Sequence, residues 1–167
     1  MFSSQSSLES FQKYSKTLPV NKPLTGSEIN EYLKDVSKYR GLLIKSQLDK
    51  DFFRTAKDGF YILNYGRIFE GTHWVAFELD GNTITYFSSL GDRPLRIFDA
   101  IPQRVIYSNY KLQSNYSMNC GLWAVAFILW RSLGRDLKDF ANLFMPHDSE
   151  KLLLDNDRIM LSLLKKM

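Results

Sequence analysis

The stretch Gln113-Ser114-Asn115-Tyr116-Ser117-Met118-Asn119-Cys120-Gly121-Leu122-Trp123 contains the only cysteine of the chain. It starts as a polar, turn-rich segment and passes at Cys120 into an apolar run, Leu122 to Trp130, with the length and composition of a buried helix. A thiol in the first turn of such a helix lies at the positive end of the helix dipole, which favours thiolate over thiol. Thiolate is the nucleophilic form, so the single sulfur stands where a catalytic one would be useful. The rest of the chain can be read for the groups that would serve it.

Beyond Trp130 the helix is expected to stop at Gly134. Leu137, Phe140, Ala141 and Phe144 predict another helix, ended by Pro146. The tail from Leu152 to Leu164 reads as helix with polar breaks at Asp155 and Asn156. On the other side of the cysteine, Val105-Ile106-Tyr107 is a strand candidate, and Pro94 and Pro102 bracket a short helix with Leu95, Ile97, Phe98 and Ile101 as its apolar face. Three strands precede it: Phe60 to Tyr65, Thr72 to Leu79 and Thr83 to Ser88, with the hairpin signal Asp80-Gly81-Asn82 between the last two. Nearer the start, Thr25 and Glu28 form a capping box before Ile29, Tyr32, Leu33 and Val36 at helical spacing, and Gly41 is expected to close that helix. Leu42-Leu43-Ile44 follows as a short strand or core edge. Residues 1–22 are polar, and read as a loose arm or a short amphipathic helix. The order predicts an α+β fold, a mostly antiparallel or mixed sheet flanked by helices, in one domain spanning 1–167.

Composition narrows the class. The chain has 167 residues, 44% hydrophobic and 24% charged, which suits one globular domain. A single cysteine forms no internal disulfide, and no apolar run approaches the roughly 18 residues of a membrane span. Met1 to Gln12 lacks the basic and apolar regions of a secretory signal, so a soluble intracellular monomer without membrane contact is expected. The net charge of +4 mildly favours acidic partners, but the basic residues are dispersed, which fits nonspecific help from DNA better than sequence recognition.

A thiol hydrolase needs a base near neutral pH, and the chain has two histidines. His147 sits in a loop beside Asp148 and reads as a surface residue. His73 lies on a strand and, taken alone, would be a core histidine. The hairpin bears on this. With Asp80-Gly81 as a two-residue type I′ loop, Val75 faces Tyr86 and His73 faces Ser88, their Cβ atoms ~4.5–5.5 Å apart. With Gly81-Asn82 as the loop, His73 faces Leu90 and has no partner. The first register is favoured because Asp-Gly is the stronger turn pair. Gln113 offers a side-chain N–H to a developing oxyanion, together with the backbone N–H at the helix start; taken alone, it reads rather as a turn glutamine bonded to backbone.

Gly71-Thr72-His73-Trp74, then Tyr86-Phe87-Ser88-Ser89-Leu90-Gly91, then Gln113-Ser114 and Ser117-Met118-Asn119-Cys120-Gly121, together resemble the adenovirus-type (adenain-like) maturation proteases, relatives of the SUMO-deconjugating cysteine proteases. That family shows His-Trp, then Phe-Glu or Phe-Asp followed shortly by Gly, then Gln-Ser-x-x-Ser-x-x-Cys-Gly. The gap of seven from Gln113 to Cys120 matches it, where the deconjugases usually have six. The resemblance covers residues 71–123, about a third of the chain. It implies Cys120 as nucleophile, His73 as general base and Gln113 in the oxyanion hole, with Trp74 and Gly121 lining the substrate channel. It further implies a viral endopeptidase that needs no cofactor or metal, works in the virion and the host cytoplasm, and cuts virion precursor proteins at Gly-containing sites. DNA or a short peptide would be activators, and a virophage or polinton-like virus the source. The departure is Ser88, where the family has a carboxylate. Either Ser88 orients His73 through its hydroxyl, or another acid does so, Asp92 being the nearest downstream and Glu78 pointing to the opposite face, or the chain is an impaired binding module. A ubiquitin-like deconjugase is the rival enzyme.

Overall fold

The computed structural model describes residues 22–66, 73–144 and 148–166. The expectations for residues 1–21, for Gly71 and Thr72, and for His147 lie outside the described residues. In chain order the elements are α1 (Gly26–Leu33), β1 (Tyr39–Ile44), α2 (Lys50–Thr55), β2 (Gly59–Asn64), β3 (Trp74–Asp80), β4 (Thr83–Phe87), β5 (Arg104–Tyr107), α3 (Cys120–Ser132), α4 (Leu137–Asn142) and α5 (Glu150–Lys166). The strands form one sheet in the order β1-β2-β3-β4-β5. The central pairings β2–β3 and β3–β4 are antiparallel, and the outer pairings β1–β2 and β4–β5 are parallel. The fold is α+β with a mixed sheet flanked by helices.

Alternation along the strands supplies two apolar layers. Phe60, Ile62, Ala76 and Phe87 face a core shared with α1, α3, α4 and α5, whereas Tyr61, Leu63, Val75, Phe77, Ile84 and Tyr86 face a second one closed by Phe53 and Phe98. Every residue of α3 from Gly121 to Trp130 is buried, as its all-round apolar sequence requires. Phe87 stacks on Phe127 at 4.9 Å and meets Phe140 edge-on at 5.3 Å, pairs each worth about 0.5–1.5 kcal/mol beyond their buried area. The sheet thereby fixes the direction of α3 and the place where α3 begins.

The capping box at Thr25 forms as expected, with Thr25 Oγ1 accepting from the Glu28 N–H and Glu28 accepting from the Thr25 N–H. Gly41 does not close that helix. The chain turns after Leu33, and Gly41 stands inside β1 with φ +113, at the irregularity between Tyr39 and Gly41 where β1 shifts against β2. The α2 helix was not anticipated; its N-cap is Asp49, whose side chain accepts from the Phe52 N–H.

The hairpin departs from the favoured register. Asp80 pairs with Thr83, Leu79 with Ile84 and Phe77 with Tyr86, so the two-residue loop is Gly81-Asn82. Gly81 has φ +55, and among the described residues Lys38 is the only non-glycine with positive φ. That is the pattern of a type II′ turn, which needs positive φ at its first central residue only. An Asp80-Gly81 type I′ loop would have forced Asp80 into the same region. Position 88 therefore falls opposite Val75, and His73 lies two residues beyond.

Candidate active site

A slip of two residues leaves side chains on the same face of a sheet, and diagonal neighbours on one face are still within reach of a long or aromatic side chain. His73 and Ser88 meet on this diagonal: the imidazole Nε2 lies 2.9 Å from Ser88 Oγ. Ser88 Oγ in turn donates to Asp92 Oδ2 at 3.2 Å, and the direct separation from His73 Nε2 to that oxygen is 3.5 Å. A carboxylate only accepts, so the Ser88 proton goes to Asp92 and Ser88 accepts from the Nε2–H of the ring. The neutral tautomer this selects carries its lone pair on Nδ1. Two of the three sequence accounts thus join in one relay, with Ser88 as the contact and Asp92 as the charge. Glu78 is engaged elsewhere, by Arg131 at 2.5 Å. On the far side of the ring, Tyr65 packs edge-on against the imidazole at 5.9 Å and its N–H donates to the His73 carbonyl at 3.0 Å. The Tyr65 hydroxyl is itself bonded to that of Tyr86.

Burial decides the protonation state of His73. Only 16% of its side chain is exposed, while 48% of Asp92 is. Desolvation pushes the imidazole below its usual value, and the attraction of Asp92, screened by the surrounding water, pulls back less. His73 is neutral at pH 7.

Cys120 is the first residue of α3, and unlike the ten residues after it, it is only partly buried. The backbone N–H groups of Trp74, Gly121 and Cys120 itself favour its thiolate form. The Trp74 N–H belongs to the peptide joining His73 to Trp74, at the start of β3. The dipole argument from sequence is outweighed. Burial pushes the thiol above its ordinary value; the three N–H groups lower it and Asp157 raises it again. Both shifts favour the uncharged forms, thiol and neutral imidazole.

Gly121 lies in a tight contact. A Cβ there would lie 3.0 Å from Leu24 Cβ and 3.3 Å from both Ile29 Cδ1 and Trp74 Cδ1. Trp74 is half-buried, with its indole N–H donating to the Leu24 carbonyl at 3.0 Å, and forms the wall between residue 24 and the start of α3. The turn after β4 ties the two halves of the site together. Gly91, at φ +75, lets the chain come so near that a Cβ would lie 2.8 Å from the Asn109 carbonyl. Ser89 then accepts at its carbonyl from the Leu112 and Gln113 N–H groups, both at 2.9 Å, and its hydroxyl donates to Gln113 Oε1 at 2.6 Å. Gln113 is buried, and its Nε2 donates to the Ser117 carbonyl at 2.7 Å. The amide is therefore oriented from both ends.

Sequence reading missed the groups that hold the segment before Cys120. Asp157 on α5 is 2% exposed and accepts from Ser117 Oγ, from Asn119 Nδ2 at 3.1 Å and from the Trp123 indole N–H. Two turns earlier on α5, Glu150 accepts from Lys111 Nζ, from Ser114 Oγ at 2.6 Å and from the Asn115 N–H at 2.7 Å. Those donors, Lys111 first, hold its carboxyl down at about 2. Asn156 donates to the Leu112 carbonyl at 3.0 Å. Of the two expected polar breaks in the tail helix, Asn156 belongs to the face that grips residues 111–123, whereas Asp155 pairs with Arg158 on the surface.

No family model matches the sequence, and no curated protein matches it. Among solved structures, the ASFV pS273R protease superposes with a TM-score of 0.50 at 17% identity, covering 85% of this chain and 69% of that one. The SUMO protease Ulp1 with its catalytic cysteine oxidised to a sulfonic acid gives 0.36 at 14% identity, over 96% of this chain and 76% of that one. The Ulp1 protease domain in complex with SMT3, the yeast ortholog of SUMO, gives 0.35 at 15% identity, over 96% of this chain and 75% of that one. The chain has the fold of the pS273R protease.

Proposed function

We propose that this chain is a cysteine endopeptidase of the adenain-like type, acting on virion precursor proteins at Gly-containing sites in the virion and the host cytoplasm. The observation that carries the reading is the hydrogen-bonded series His73–Ser88–Asp92, which leaves Nδ1 as the basic nitrogen of the ring, in a chain whose one cysteine begins a buried helix. The spacing of Gln113 and Cys120 and the fold shared with the pS273R protease support it.

In this mechanism His73 Nδ1 takes the thiol proton as Cys120 Sγ attacks the peptide carbonyl carbon. The backbone N–H of Cys120 and the second N–H of the Gln113 amide stabilise the oxyanion. The imidazolium, steadied by Asp92 through Ser88, gives its proton to the leaving amine as the C–N bond breaks. Water, deprotonated by His73, then hydrolyses the thioester. Trp74, half-buried against Gly121, is the residue that would bound a narrow substrate channel and favour a residue without a side chain beside the scissile bond.

The test is incubation of the purified chain with a library of Gly-containing peptides and, in parallel, with ubiquitin-like fluorogenic conjugates, products being read by mass spectrometry. Cleavage of the peptides that disappears in Cys120→Ala is expected. Cleavage of the conjugates alone would replace this reading by a deconjugase, and no turnover of either would refute it.

A further inference from the structure

Asn119 occupies the N-cap of α3, and asparagine there ordinarily accepts from the N–H two or three residues on. Here it makes no side-chain cap bond. Its amide donates instead to Asp157 Oδ2 at 3.1 Å, and its own N–H is oriented by Ser117 Oγ at 3.3 Å, the same hydroxyl that donates to Asp157. A capping Asn119 would bind the N–H of Gly121 or Leu122, in the first turn of the helix that Cys120 begins. Asn119 and Asp157 are both buried, with 0% and 2% exposure, so neither arrangement is maintained by solvent.

We propose that Asp157 is a positioning residue that keeps Asn119 from capping α3, and so reserves the first-turn N–H groups for the sulfur and the oxyanion. A helix start with its own cap in place is more stable as a helix and less useful as an anion site. Asp157 holds three side chains at once, Ser117, Asn119 and Trp123, and so fixes the cap residue relative to both the preceding loop and the body of α3. The proposal rests on the peptidase reading for its effect on turnover, but not for its effect on the thiol.

Cys120 is the only cysteine, so alkylation by iodoacetamide reports on it alone. The experiment measures the pH midpoint of that alkylation and cleavage of a Gly-containing peptide in the wild type, Asp157→Asn and Asp157→Asn with Asn119→Ala. Asp157→Asn is expected to lower kcat about tenfold to a hundredfold with little change in KM, the size of a small misplacement of reacting groups. Removing the Asn119 side chain in that background returns the N–H groups. It is expected to recover most of the kcat and to move the alkylation midpoint to lower pH than in Asp157→Asn alone. A second substitution that deepens the loss, or leaves the midpoint unmoved, overturns the proposal, as does an Asp157→Asn chain that cleaves like the wild type. A wild type that cleaves no peptide defeats the peptidase reading, and the two midpoints still decide the role of Asp157. Should Asp157→Asn fail to fold, Asn119→Asp carries the test, because repulsion from Asp157 drives the new carboxylate onto the helix start. A tenfold or greater loss of cleavage and a raised midpoint are then expected, and wild-type values of both overturn the proposal.

Discussion

The two halves of the site are held in different ways. On the histidine side, a half-exposed carboxylate acts through one serine hydroxyl on one ring. On the cysteine side, a buried carboxylate and a helix-start glutamate grip Lys111, Ser114, Asn115, Ser117, Asn119 and Trp123 from α5. The histidine side is a short relay of two largely buried side chains that ends on a half-exposed carboxylate. The cysteine side is built into the core, so its geometry and the stability of the fold are coupled. Substitutions on the first side should separate activity from stability, and those on the second should not.

The largest effect is expected from His73→Ala, which removes the proposed base. Peptide cleavage should fall about a thousandfold or more, with the chain still folded. Ser88→Ala breaks the relay and should cost about tenfold to a hundredfold in kcat, while Ser88→Asp should exceed Ser88→Ala by placing a carboxylate against the ring. Asp92→Asn should cost only a few-fold, since that side chain is 48% exposed and its field is screened. Across the site, Gly121→Ala puts a Cβ 3.0 Å from Leu24 Cβ in a packed core and should lower stability by about 1–3 kcal/mol in urea unfolding, with activity falling in parallel. A Gly121→Ala chain that loses activity without stability would erase the contrast between the two halves.

The smallest effects are in pH. Because the His73 pKa is lowered, turnover should fall on the acid side only below the ordinary imidazole range, and the raised thiol puts the alkaline limb high. Glu150 works in the opposite quarter. Its carboxyl is held down at about 2, so its contribution to stability is present above the usual carboxylate range near 4.5 and is lost as pH falls toward 2. The melting difference between the wild type and Glu150→Gln should shrink over that interval.

Much of this was legible from residue order. The capping box at Thr25, the stop at Gly134 with φ +77 and the cysteine at the start of an apolar helix depend on local chemistry, and all three stand in the structure. The hairpin register did not, because Asp80-Gly81 and Gly81-Asn82 both suit two-residue turns and the choice is made by φ at a single residue. The contact between His73 and Ser88 survived that error since a two-residue slip conserves the face of the sheet. The thiol was misjudged because the dipole can be read from the sequence and desolvation cannot. Asp157 was invisible for a different reason. Its partners lie 34–40 positions away, and nothing local to the tail helix marks it until α3 is placed against it.

The central claim, that Cys120 attacks with the help of His73, is tested most directly with a peptidyl chloromethyl ketone ending in glycine, the labelled residue being located by mass spectrometry. The wild type should be labelled at Cys120 rapidly at pH 7, and His73→Ala should be labelled at least a hundredfold more slowly while its Cys120 still reacts with iodoacetamide at high pH. Labelling of His73→Ala at the wild-type rate would contradict the account.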